Sequence, residues 1–454
     1  MREKRNIIEI PKASANDNTT AFSSPELNSI GDFTQAGKKY EYVKWGANDQ
    51  LPYEMIDKVE RNSVLSQNKL FNLLTCYSRG IEYMDIPAEG EEPKPTKNKD
   101  IRRFLMRNSM KKFFAEQITD MKYFYFCVCV VILNRNRDKI VKVYHKDVCN
   151  CRFEKPDENG NIRHVFYGSW RNNTSKAGGE DKKEVIPLLD FDDPLGDLLA
   201  RTDNERDTLG YFKRSPQSQT KFAIVCKFPT AGGSVYPVPA WTASVRDGWY
   251  DIYNYLTRAK KAKLKNGQNI RYHAEISTAF WENLALSKNI PLNSDEFNDM
   301  KDQFMQNIKE YLSGSENSDK LIWSEFSVLP DGKEMHQIKI STVDTTKAGN
   351  EYNDDVAEAA NVLCYGDNVH PNLAGANPGK SQMNNSGSDK RELFTMKQSL
   401  ETLTHDLMMV AHNTFIFFNN WQDLVYPEVP IIQLTTLDEH KDMEEVLPNS
   451  QQNS

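Results

Sequence analysis

The chain has 454 residues, 39% hydrophobic, 11% aromatic and 27% charged, which is too much apolar mass for a disordered protein. Lys and Arg number 57 against 64 acids, a net charge of −7. That excludes a surface built to grip nucleic acid over its whole extent, which would be basic, and at about 150 residues per domain the length suits about three domains.

Residues 1–39 are rich in Ser, Asn, Thr and Ala without a sustained period, and read as a flexible arm with order beginning near Tyr40. The first residues lack the apolar core and cleavage site of a signal peptide. Met55, Val59, Leu70, Leu73, Leu74 and Tyr77 predict one helix over 51–80, with Gly80 as its stop. A second helix is expected over 100–118, after the polar, Pro-rich stretch 87–98. The apolar run at 121–133 and the shorter one at 140–144, joined by NRNRDK, predict a hairpin. The longest apolar stretch, YFYFCVCVVIL, has eleven residues against about 20 for a spanning helix. The expectation is a chain that is soluble and intracellular when made.

From 150 to 235 turn-forming clusters alternate with short apolar runs, so short strands and long loops are expected. Over 239–266, Trp241, Val245, Trp249, Ile252, Leu256 and Ala259 keep helical spacing, with Pro239 at the start and Gly267 past the end. These 28 residues predict a rod of about 42 Å. A further helix is expected over 294–312, strands over 321–329 and 335–341, and a helix over 349–364. After the Asn/Gly/Pro-rich loop 366–387 the longest helix is predicted to run from Ser388 to 418. Leu393, Met396, Leu400, Leu403, Leu407, Val410, Thr414 and Phe417 form an unbroken seam along it. The acidic tail is expected to fray. There is no internal repeat.

Few motifs carry chemistry. AGANPGKS (374–381) fits a relaxed phosphate-binding loop, in which Lys380 and Ser381 would hold nucleotide and Mg²⁺. Such loops need a buried strand before and a helix after; YGDNVHPNL and QMNNSG supply neither, so a flexible loop is preferred. Two Cys-x-Cys pairs, Cys127/Cys129 and Cys149/Cys151, lie near His145 and His164. A tetrahedral zinc is conceivable there, but cysteines inside an apolar run behave as small hydrophobes. Asp190, Asp192 and Asp193 lack a partner motif and read as a solvated loop. No catalytic, cofactor or metal residue is assigned, and no enzyme is expected. Arg258, Lys260, Lys261, Lys263, Lys265 and Arg271 fall within fourteen residues with no acid among them. Two readings stand side by side: a solvated helix end with cations at the negative dipole terminus, or a local phosphate-facing patch.

The order of blocks resembles a tailed-bacteriophage portal protein of the siphovirus type. WGANDQLP (45–52) with the following helix is similar to the opening of a wing domain. The 121–144 strand pair and variable β region are similar to wing strands leading to a clip. The 239–266 helix with NGQNIRYHAEI looks like a stem helix and its return. VLCYGDNVHPNLAG…GSDKREL before a long helix is similar to a channel loop and crown. The resemblance covers about residues 40–420 and implies an α+β portal-like fold. Its parts would be the arm 1–39, wing 40–149, clip-like region 150–236, stem helix 237–267, wing 268–345, channel loop and crown-like helices 346–425, and acidic tail 426–454. It implies a ring of about twelve subunits at one capsid vertex of the virion, made in the host cytoplasm. Double-stranded DNA would pass through it during packaging and ejection, without sequence specificity, along the six cations. Terminase large subunit, major capsid protein and head–tail adaptor would be partners, with no membrane and no cofactor. The alternative is a nucleotide-hydrolysing nucleic-acid enzyme using the 374–381 loop.

Overall fold

A computed structural model describes residues 29–171, 183–203, 219–267, 272–292, 294–313, 326–328, 334–336, 338–342, 352–374 and 387–432. The chain divides into two compact units, one of Met1–Asp251 with Ala359–Ser454 and one of Ile252–Glu358. The mixed α+β class agrees with expectation.

Regular structure starts well ahead of Tyr40, with an antiparallel hairpin of β1 (Ile30–Gln35) and β2 (Lys38–Val43). The arm expected over 1–39 therefore includes a strand; residues 1–28 lie outside the described residues. The predicted helix at 51–80 is two, α1 (Leu51–Glu60) and α2 (Ser63–Tyr77). Asn62 stands between them with extended backbone, and its side chain accepts the amides of Val64 and Leu65, an N-cap that starts a new helix. Gly80 lies past the end at φ +82°, where a Cβ would meet the Tyr77 ring.

β3 (Glu82–Asp85) and β4 (Lys94–Pro95) follow. The next predicted helix also divides, into α3 (Lys99–Arg107) and α4 (Met110–Phe124). Residues 121–124 belong to α4 rather than to the strand. Tyr125 ends the helix at φ +64° and turns the chain into β5 (Phe126–Leu133). β5 pairs with β6 (Ile140–Lys146), the expected hairpin. It is central in a three-stranded sheet, and successive residues along it are buried, so both faces are covered and its sequence is a continuous apolar run rather than an alternation. Cys127, Cys129, Val131 and Leu133 face a core with Phe114, Ile118 and Phe415. Phe126, on the opposite face, packs on Trp45, Phe153 and Tyr236.

Short strands β7 (Cys151–Phe153), β8 (His164–Tyr167) and β9 (Glu184–Pro187) make an antiparallel sheet, and helix α5 (Pro194–Asp203) follows. β10 (Lys221–Lys227) returns to pair with β5. The clip-like region expected over 150–236 thus shares its last strand with the central sheet and lies within the first unit.

WGANDQLP and β7 are joined by one buried cation. Arg152, fully buried, donates to the Asp49 carboxylate and to the backbone carbonyls of Asp49, Cys149 and Cys151. Its guanidinium centre lies 5.7 Å from the Trp45 ring centroid and 5.2 Å from that of Trp170, and Trp45 stacks on Tyr236 at 4.6 Å.

The predicted 28-residue rod is broken. A 3₁₀ turn (Ala240–Thr242) and α6 (Ala243–Arg246) precede α7 (Trp249–Gly267). Gly248 between them stands at φ +92°, outside any helix conformation. α7 has 19 residues, about 28 Å. Trp241 is buried ahead of the break and donates its indole N–H to the Tyr123 carbonyl.

In the second unit β11 (Tyr272–Ile276) is followed by α8 (Thr278–Ser287), which sequence patterning missed, and α9 (Asp295–Ser313), which it placed. Ser277 caps α8 by accepting the Phe280 amide. Ala285, Phe297 and Met300 form a small core with Trp281, Leu284 and Ile290. β12 (Phe326–Val328) pairs with β13 (Glu334–His336), and β14 (Ile338–Thr342) with β11. The chain re-enters the first unit within α10 (Asn353–Gly366) and continues through α11 (Pro371–Ala374), α12 (Gly387–Ser399) and α13 (Thr402–Phe418). The single helix expected from Ser388 to 418 is interrupted at Leu400–Glu401. The tail expected from 426 begins inside a strand, β15 (Val425–Glu428), which pairs with β3.

One polar chain crosses the main core. The Tyr83 hydroxyl is 2.7 Å from His412 Nδ1, and His412 Nε2 is 2.9 Å from Gln117 Oε1. With a neutral ring, Tyr83 donates to Nδ1 and Nε2–H donates to Gln117, so every member has a partner. Burial holds the His412 pKa down at about 3, from 6.5. The unfolded chain therefore binds the extra proton between these values, and stability falls as pH drops below about 6.5. About 2 kcal/mol of folding stability is expected to disappear between pH 7 and pH 5 through this one group, at about 1.4 kcal/mol per pH unit. Urea denaturation of wild type and His412→Gln checks it: the variant starts lower but loses that part of the slope.

Candidate assembly surface

The surface presented by α12 and α13 is set from beneath by a buried ion network. Lys69 on α2 pairs with Asp367 at 2.6 Å and donates to the Lys122 carbonyl at 3.0 Å. Its ammonium also lies 4.3 Å from the Trp241 ring centroid. Burial pushes Lys69 down to about 8 and raises Asp367. Both shifts follow from desolvation, which here outweighs the attraction between the two charges.

Glu401 sits at the α12–α13 interruption between Lys122 of α4 and Lys397 of α12. Burial acts to raise its carboxyl pKa, but the two ammonium groups outweigh this and hold it below the usual range. Lys397 also donates to the Asn368 carbonyl, and Asn72 donates to that of Asp367. α2, α4, the turn after α10 and the α12–α13 junction are thereby tied together.

On the outside of this frame lies an apolar surface. Of the predicted seam, Leu407 and Val410 pack on the core and Thr414 is buried. Met396 (61% exposed), Leu400 (56%), Leu403 (51%) and Phe417 are left open, while Met408, Ala411 and Phe415 fill the core from the other side. Half of the seam, expected to pack against another helix, is thus left on the surface. Tyr365 on α10 is also exposed, as are Leu70 and Leu74 on α2, which contacts α12. A groove of about 440 Å³ runs between α10–α11 and α12, with Tyr365, Leu373, Leu393, Met396 and Leu400 on its walls.

The six predicted cations are only partly described. Arg258 and Lys261 are exposed on α7, and Lys260, half-buried, donates to the Asn353 side chain. Lys263 and Lys265 lie on the same helix; Arg271 lies outside the described residues. The helix thus carries five of the six cations.

The other motifs resolve into local structure. Residues 375–381 lie outside the described residues, but the element before them is helix α11, ending at Ala374, where a phosphate-binding loop would follow a strand. Asp190 accepts the amides of Asp192 and Asp193, and Asp193 accepts that of Gly196. The acidic cluster therefore caps α5. The two Cys-x-Cys pairs are not one group: Cys127 and Cys129 meet Cys226 of β10, with the three sulfurs within 4.8 Å of one another. His145 pairs with Asp120 at 2.7 Å and His164 with Glu154 at 2.7 Å. Cys226 was invisible to spacing rules, since only the β5–β10 register brings it to Cys127. No helix among the described residues is long and apolar enough to cross a membrane.

No protein-family model matches this chain, and no curated protein is similar to it in sequence. Solved structures are similar in fold. A chain of the virion of the native gene transfer agent particle superposes with a TM-score of 0.52 at 11% identity, covering 83% of each chain. A chain in the neck of the empty particle, computed with C6 symmetry, gives 0.52 at 13% identity and 83% of each chain. One in the neck of the native particle, computed with C12 symmetry, gives 0.52 at 12% identity and 86% of each chain. The fold of this chain is therefore one found in the neck of a virus-like particle.

Proposed function

We propose that this chain is a portal subunit: about twelve copies close into a ring at one capsid vertex, through which double-stranded DNA is packaged and ejected. The observation that supports this reading is the fold likeness, spanning over four-fifths of both chains, to chains of the gene transfer agent virion and of its neck computed with C6 and C12 symmetry. In this reading the protein is a structural conduit rather than an enzyme. Terminase large subunit, major capsid protein and head–tail adaptor dock on it. In this reading α7 remains the stem helix, and residues 252–358, which begin within α7 and end within α10, serve as the clip in place of 150–236.

The apolar stripe of α12–α13 supplies the subunit contact. A heterologous contact repeated around an axis closes into a ring, and exposed Leu and Met at helical spacing are what such a contact buries. Replacing Met396, Leu400 and Leu403 together by Lys is expected to leave monomers with unchanged circular dichroism, because exposed sites change stability by only about 0.5 kcal/mol each. Rings that persist in that variant would remove the stripe from the account.

The cations of α7 face the channel in this reading. Net acidity with a few local cations suits sliding DNA, since each neutralised phosphate adds sequence-independent affinity. Replacing Lys260, Lys261, Lys263 and Lys265 by Gln is expected to leave rings intact and flatten the salt dependence of DNA retention. Retention unchanged at every salt concentration would return the cluster to a solvated helix end.

A further inference from the structure

Three thiols on one face of the central sheet form a site with no role in the reading above. Cys127 and Cys129 stand two residues apart on β5, and so on the same face; Cys226 of β10 is the register partner of Cys127. Their sulfurs lie within 4.8 Å of one another and all three residues are buried. Packing alone asks for nothing more than small apolar side chains there. The surroundings supply more than packing. Gln117, fully buried, directs Nε2 at the sulfurs, 3.2 Å from Cys129 and 4.0 Å from Cys127. The amide is held in that sense by the hydrogen bonds running back through His412 to Tyr83. An N–H donor locked onto a sulfur cluster is the outer-shell device that stabilises thiolate ligands.

We infer that Cys127, Cys129 and Cys226 form a binding site for one thiophilic d¹⁰ divalent cation, of the zinc or cadmium class. Three S–H bonds break, three S–metal bonds form, and three protons leave to solvent, so the occupied site carries one net negative charge against the Gln117 amide. Zn–S bonds of about 2.3 Å in tetrahedral geometry place sulfurs about 3.8 Å apart, so each pair need close by no more than about 1 Å. The candidate fourth donor is His145, the register partner of Cys129 on β6. Asp120 holds its Nε2, and its Nδ1 is buried without a hydrogen-bond partner, though it is not part of the 4.8 Å group. Thiolate ligands select soft metals over Mg²⁺ or Ca²⁺. A site this enclosed fills while the chain folds.

The test folds the full chain under reducing conditions with and without Cd²⁺, removes free metal, and measures bound metal by mass spectrometry. The thiolate-to-metal charge-transfer band in the near ultraviolet is recorded alongside. One ion per chain is expected, with a band intensity corresponding to three thiolates. Cys226→Ala is expected to lower bound metal at least tenfold, and Gln117→Leu to weaken binding about tenfold. Cys364→Ala, which alters a buried cysteine outside the cluster, is expected to keep it. A folded wild-type chain holding less than about one-tenth of an ion overturns the proposal. So does metal retained by folded Cys226→Ala. Should that variant fail to fold, the wild-type band decides alone: one thiolate per ion, or none, overturns the assignment.

Discussion

Arg152→Met is expected to destabilise the chain by about 3–5 kcal/mol, the range for breaking one partner of a buried ion pair. The side chain is fully buried, and its loss leaves the Asp49 carboxylate without its counter-charge, held by the Trp45 amide, and removes a donor from three backbone carbonyls. Methionine fills the volume but offers no donor. Arg152→Lys retains the charge without the planar fork, so an intermediate loss is expected. The control is Lys155→Met, whose partner Glu41 is half exposed; exposed pairs contribute about 0–1 kcal/mol. Urea denaturation separates the two. A loss at Arg152 no larger than at Lys155 would show that the cation does not hold the 45–52 segment to β7.

Glu401→Gln comes next in size, again about 3–5 kcal/mol. The exchange keeps the shape and removes the charge, leaving Lys122 and Lys397 buried beside a neutral amide. The double variant Glu401→Leu with Lys122→Met is expected to lose less than the sum of its single changes, because removing both partners leaves no stranded charge on that side. The sign with pH follows from the carboxyl, whose pKa lies below its usual 4.5. The contribution is complete above about pH 4.5 and fades as pH falls through the folded value. Additive losses in the denaturation data would mean that the pair is not coupled.

Several elements were legible because their physics is local. β5 and β6 announce themselves by an apolar run and a polar turn, and α9 by its three–four spacing. What sequence missed depends on backbone or register. Tyr125 takes a left-handed φ that its side chain does not advertise, so the apolar run alone starts the strand inside α4. Gly248 breaks the expected rod, yet one glycine in a helical pattern is often tolerated. β15 is four residues long and exists because β3 offers it an edge. The seam of α12–α13 shows the limit of periodicity most clearly. The spacing of Leu393 to Phe417 marks a helix and an apolar stripe, but not what covers the stripe. Met408, Ala411 and Phe415, on another face, fill the core. At the candidate metal site, Cys127 and Cys129 were visible as a pair, while Cys226 arrives only through strand pairing.

The most direct measurement is negative-stain imaging of the purified full chain at micromolar concentration and physiological salt, alongside sedimentation velocity. The account predicts closed rings of about twelve copies with a central hole, and a matching fast-sedimenting species. A single sharp monomer boundary and featureless particles would contradict it.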